Sequence, residues 1–220
     1  MALNKAQTSV GMKVVLILLI VAFVASFVSI GAGLFTGGTT TTNQPTSTDP
    51  LTAINAQYQP TVAALTNTLQ SQPESYTALV SLGNTYFDWA ASVQQQSQTS
   101  TAAVGADQPL WISAKDAYTR ALKVEKGEPA VQVDYAITLF YTGDTNNAVA
   151  IATTVTKDSP EFAPAWFNLG VFYRALGQND KAVASFNQAL KLDPEGTQIN
   201  AEFAKSQVQE LESAPATGTP

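Results

Sequence analysis

Residues 163–194 read Ala-Pro-Ala-Trp-Phe-Asn-Leu-Gly-Val-Phe-Tyr-Arg-Ala-Leu-Gly-Gln-Asn-Asp-Lys-Ala-Val-Ala-Ser-Phe-Asn-Gln-Ala-Leu-Lys-Leu-Asp-Pro. Trp166, Leu169, Gly170 and Tyr173 recur at helical spacing and share one stripe of a first helix. Ala182, Phe186 and Ala189 form the facing stripe of a second. Gly170 leaves room for close approach, Gly177 breaks the first helix, and Pro194 stops the second by withholding a backbone donor. The segment predicts an antiparallel helix pair.

With small, large and terminator positions at this spacing, the segment resembles a tetratricopeptide repeat. One such pair cannot bury its stripe alone, so neighbours are expected, and the same period finds them. Gly143 and Gly177, Ala148 and Ala182, and Pro160 and Pro194 each lie 34 residues apart, which places a repeat at 129–162 before the one at 163–196. Its first helix is degenerate, with Gln132, Tyr135 and Ala136 in place of Trp166, Leu169 and Gly170. Upstream, Leu79, Leu82, Gly83 and Tyr86 restate the first stripe, and Ala114, Tyr118 and Ala121 the second. That repeat, 76–128, spans 53 residues, and its surplus of 19 falls at 90–108. This insertion is polar and uncharged until Asp107, and it reads as a solvated loop in which Ser92 to Gln98 can prolong the helix.

At the amino end of the array, Thr61, Leu65, Leu69 and Pro73 read as the second helix and terminator of a half repeat. Residues 51–59 are either a short helix before it or a continuation kinked at Pro60. At the other end, Ile199, Phe203 and Val208 share one side of a helix predicted over 197–211, and Glu202, Lys205, Gln209 and Glu210 share the other. Such a polar-backed helix caps a solenoid. The repeat domain is therefore 51–211, and residues 212–220 read as a disordered tail.

Val14 to Phe35 gives 22 residues without a charge, enough to span about 33 Å as a helix. The stretch reads as a transmembrane helix; a cleaved leader is the competing reading, against which stand the length of the apolar core and the lack of an Ala-x-Ala site after it. Lys5 and Lys13 precede it, and the next basic residue is Lys115, so residues 1–13 are expected in the cytoplasm and the repeats outside it, at a bacterial plasma membrane. Residues 36–50, rich in Thr, Gly and Pro, read as a flexible linker. Ala25, Ser29, Gly33 and Gly37 recur every four residues, a ridge that lets membrane helices pack closely. A homo-oligomer of the cell envelope, assembled through this helix and the repeats, is the alternative to a binding module.

Composition narrows the function. Beyond the apolar span the chain carries 9 of its 11 Lys plus Arg and all 17 Asp plus Glu, so nucleic acid is not an expected partner. With His 0 and Cys 0, thiol nucleophiles, imidazole bases and zinc sites are ruled out, and the sequence has neither a glycine-rich phosphate loop nor a nucleophile elbow. No catalysis, cofactor or metal site is expected.

The resemblance implies an all-α, right-handed solenoid of about three repeats plus capping helices, preceded by the membrane helix. Its first helices would line a concave face that binds peptides or protein segments. Carried over position by position, that face comprises Val80, Asn84, Phe87 and Asp88 from the first repeat; Val133, Asp134, Ile137, Phe140 and Tyr141 from the second; and Phe167, Asn168, Val171 and Arg174 from the third. Arg174 alone is basic, so the two-lysine carboxylate clamp of some family members is missing. A partner with apolar anchors and one basic residue fits this set.

Overall fold

The computed structural model describes residues 49–213. Among them are eight α-helices and no strand: α1 Pro50–Ser71, α2 Tyr76–Ser97, α3 Gln108–Val124, α4 Pro129–Tyr141, α5 Thr145–Asp158, α6 Ala163–Ala175, α7 Asn179–Leu192 and α8 Ala201–Ser213. A 3-10 turn at Thr101–Ala103 links α2 to α3. The predicted membrane helix and the linker before Asp49 lie outside the described residues, as do the tail residues beyond Ser213. No helix among the described residues is long and apolar enough to cross a membrane.

Local chemistry sets the helix limits. The Ser75 hydroxyl accepts from Ala78 N at 3.4 Å and caps α2, and the Asp144 carboxylate does the same for α5 at Asn147 N. Prolines 50, 109, 129 and 164 stand in first turns, where the missing donor costs nothing. The turns inside the second and third repeats pass through Gly143 at φ 87° and Gly177 at φ 69°, in the left-handed region. There Asp144 N reaches Leu139 O at 2.8 Å and Gln178 N reaches Tyr173 O at 2.9 Å, which satisfies carbonyls that the helix ends would leave open.

Consecutive helices pack against one another along the whole array, and the first helices also touch across repeats, α2 with α4 and α4 with α6. The central core joins Phe87, Trp111, Tyr118, Val133, Ile137, Leu139 and Phe172. A second core holds Phe167, Phe186, Ile199 and Ala204, and a third holds Leu69, Leu79, Leu82, Ala117 and Ala121.

Two expectations are corrected, and the alternatives left open for 51–59 are settled as one helix through Pro60. In the segment 90–108 the helix is prolonged to Ser97, as Ser92 to Gln98 allowed, but the segment is not wholly solvated, since Ala90, Val93 and Ala103 are 0%, 1% and 0% exposed. The cause is α1, a single helix that runs through Pro60 and covers the extension with Leu51, Ile54 and Tyr58. Trp89 stacks on Tyr58 at 5.9 Å and donates its Nε1–H to Asn55 Oδ1 at 2.9 Å. The capping helix begins at Ala201 rather than 197. The Asp193 carboxylate accepts from the amides of Thr197, Gln198 and Ile199 at 2.9, 2.6 and 2.9 Å and holds that stretch out of the helix.

Candidate functional site: the face of the first helices

The face carried over from the resemblance lies on α2, α4 and α6, and the structure divides its thirteen residues in two. Val80, Asn84, Asp88, Phe140, Tyr141 and Val171 are half-buried, and Arg174 is exposed. Phe87, Val133, Asp134, Ile137, Phe167 and Asn168 are 4% exposed or less. These six are core positions, which corrects their placement on the binding face. Phe87 meets Trp111 edge to face at 5.0 Å, and Val133 and Ile137 belong to the same central core. Phe167 is enclosed by Phe186 and Phe203, each at 5.9 Å, because α8 packs where a further first helix would. Asn168 turns inward and donates to Pro164 O at 2.8 Å.

An aromatic chain crosses the repeats beneath this face. Trp111, which the sequence reading did not single out, is fully buried and stacks on Tyr141 at 4.3 Å with planes 11° apart. Tyr141 meets Phe140 at 5.4 Å, and Phe140 meets Phe172 at 5.2 Å. The signal for Trp111 was its place one helical step before Ala114 and two before Tyr118. The Trp111 Nε1–H is satisfied by Asp107 Oδ2 at 3.1 Å. Burial, and then the Asp107 charge, push the Tyr141 phenol above its ordinary value.

Between α2 and α4 a buried polar group lies beneath the face. The Tyr118 phenol rises from α3 and donates to Asn84 Oδ1 at 2.7 Å. Burial, followed by the charges of Asp134 and Asp88, pushes its pKa well above the ordinary tyrosine value, which places both carboxylates within electrostatic reach of one hydroxyl. Arg174, at the other end, is held by Glu210 of α8 with its Nη2 at 3.0 and 3.2 Å from the two carboxylate oxygens. Its charge is neutralised within the fold, so the face is apolar and acidic. Among the described residues no cluster of His, Cys, Asp or Glu could hold a metal ion.

Helix pairs of this length, with a glycine under an aromatic ring, define the tetratricopeptide-repeat architecture. The family model for the tetratricopeptide repeat matches residues 163–195. Over 86 residues the chain is 34% identical to Tetratricopeptide repeat protein 37 of Xenopus laevis, a match covering 37% of this chain and 5% of that protein. Among solved structures, the MamA protein superposes with a TM-score of 0.52 at 17% identity, covering 73% of this chain and 80% of the other. A tetratricopeptide repeat protein from Parabacteroides merdae gives 0.51 at 15% identity, with 74% and 60% covered. Residues 163–195 thus match the tetratricopeptide-repeat family model, and the fold of the described residues is similar to that of these solved structures.

Proposed function

We propose that the chain is a membrane-anchored, non-catalytic interaction module whose first-helix face holds a protein or peptide segment outside the cytoplasm. Repeat arrays present such extended faces to partners. The observation that carries the reading is the group of half-buried Phe140, Tyr141 and Val171 packed on one core, together with the half-buried Asp88 carboxylate on α2. Apolar anchors would bury against the first group, and a lysine or arginine of the partner would be drawn to the second. An acidic terminus would be repelled, since Arg174 is already paired.

A photo-crosslinking residue at Val171 in intact membranes tests the site. The expected result is a discrete adduct that weakens with Asp88→Lys or Phe140→Ser while circular dichroism stays helical. An adduct pattern unchanged by both substitutions would remove this face from consideration. For the anchor, which rests on the uncharged stretch Val14 to Phe35, fusion of alkaline phosphatase after residue 36 is expected to be active in bacterial cells.

A further inference from the structure

The three helices that line the first-helix face carry a single cation. Arg174, near the end of α6, is the only Lys or Arg on α2, α4 or α6. Its planar fork of donors suits a carboxylate, and a bare guanidinium there would draw acidic segments to this end of the face. The fold supplies that carboxylate itself. Glu210 of α8 sets both oxygens on Arg174 Nη2, at 3.0 and 3.2 Å. The helix that delivers it is held in place by other contacts. Phe203 meets Phe167 and Phe186 at 5.9 and 6.3 Å, and Ala204 and Gln207 are buried. Glu210 follows Phe203 by seven residues and Gln207 by three, on the same side of α8, and Gln207 Nε2 donates to Glu210 Oε2 at 3.4 Å. Lys205, the only basic residue of α8, is taken by Glu202 at 2.8 Å and leaves Glu210 to Arg174.

We infer that Glu210 is the selectivity residue of the first-helix face: an acid built into the capping helix that occupies Arg174 and turns away segments bearing a carboxylate. The inference rests on that face being the binding surface, and it adds which residue decides what the Arg174 end accepts. The two side chains are 41% and 59% exposed, so a ligand reaches the pair, and an ion pair this open contributes little to the fold and exchanges readily. Whether a second carboxylate gains from binding there is then decided by local charge. With Glu210 present, it meets a cation already neutralised. With Glu210 removed, it meets a free guanidinium, while Phe203, Ala204 and Gln207 still hold α8 where it was. The first arrangement selects apolar or basic segments, and the second admits acidic ones.

A set of fluorescein-labelled peptides tests this. All share two leucines and a phenylalanine; one ends on a lysine amide, one ends on aspartate with a free carboxylate, and one carries aspartate at its amino end. Anisotropy is read with the full chain in lipid nanodiscs, and empty discs serve as the blank. The wild type is expected to favour the lysine peptide. Glu210→Ala should raise the affinity for at least one aspartate peptide about three- to fivefold, the scale of an exposed ion pair. That gain should shrink in high salt and disappear when Arg174→Gln is added. Circular dichroism should stay helical in each variant, so that a changed preference is not a loss of fold. The same preference in wild type and Glu210→Ala, or a gain that survives Arg174→Gln, would overturn the inference while leaving the face intact. Binding of no peptide, or binding that Phe140→Ser leaves unchanged, removes the face itself and this inference with it, so the two failures are told apart.

Discussion

Gly170 lies directly beneath the ring of Phe186, and a Cβ added there would stand 2.8 Å from Cδ1 and Cε1. The ring cannot withdraw, since Phe167 and Phe203 hold it at 5.9 and 6.3 Å and its own exposure is 0%. Gly83 has the same relationship to Tyr118, with 2.7 Å to Cε1.

For Gly170→Ala, better helix propensity contributes about 1 kcal/mol, while overpacking a filled core costs about 1–3 kcal/mol. The net expectation is a loss of up to about 2 kcal/mol in urea unfolding. Combining it with Phe186→Leu should give a smaller loss than the two single changes summed, because the shorter side chain relieves the clash. Additive losses would show that the close approach is not the cause.

Trp111→Ala is expected to cost about 3–5 kcal/mol, the range for a buried large aromatic. It removes the surface on which both Phe87 and Tyr141 pack. Near-ultraviolet circular dichroism should change as well, through the lost Trp111–Tyr141 stack. A variant as stable as the wild type would contradict the buried position.

Alkaline stability should fall in a defined direction. Tyr118 and Tyr141 have pKa values raised by burial and by nearby carboxylates, and burial also raises Tyr58 and Tyr86. A raised folded value favours the protonated fold, so this contribution is complete below the unfolded tyrosine pKa, about 10, and is lost as pH rises above it. Unfolding measured from pH 8 to 12 should show a decline that begins near the unfolded value. Tyr118→Phe should make that decline shallower.

Acid behaves oppositely at Asp193. Burial alone would raise this carboxyl, but hydrogen bonds from Gln198, Thr197 and Ile199 outweigh it and hold the pKa below the ordinary value. A lowered folded value stabilises the fold above the unfolded pKa, about 3.9, and the contribution is lost as pH falls through the folded one. Asp193→Ala should cost about 1–3 kcal/mol at neutral pH by leaving the buried Ile199 amide, and the part-buried amides of Thr197 and Gln198, without this acceptor. It should also flatten the acid limb between pH 5 and 2.

Glu210→Gln, by contrast, breaks an ion pair whose side chains are 41% and 59% exposed, and it should cost less than about 1 kcal/mol. The difference from wild type should shrink further in high salt.

Contacts within a repeat were legible in the sequence. Gly170 under Phe186 and Gly83 under Tyr118 follow from residues that must face one another inside one helix pair. Cover supplied from outside the pair was not. Phe167 and Asn168 fall on the outward stripe of α6, and only the arrival of α8 and the inward turn of the Asn168 amide place them in the core. The stretch Ala90–Ser97 carries too few large apolar residues to show a stripe, yet α1 lying alongside makes alanines sufficient to fill the gap. Asp193 read as a residue before a terminating proline. Its capture of three amides depends on the path of 195–200, which no period records.

The charge layout has a practical outcome in proteolysis. No lysine or arginine lies between Lys13 and Lys115, so α1, α2 and the connection into α3 offer trypsin no bond to cut, whether folded or open. A tryptic digest therefore reports only on the part of the array from Lys115 onward. Opening of the first helix pair has to be followed with an enzyme that cuts after glutamate, for which Glu74, in the turn between α1 and α2, is an exposed target.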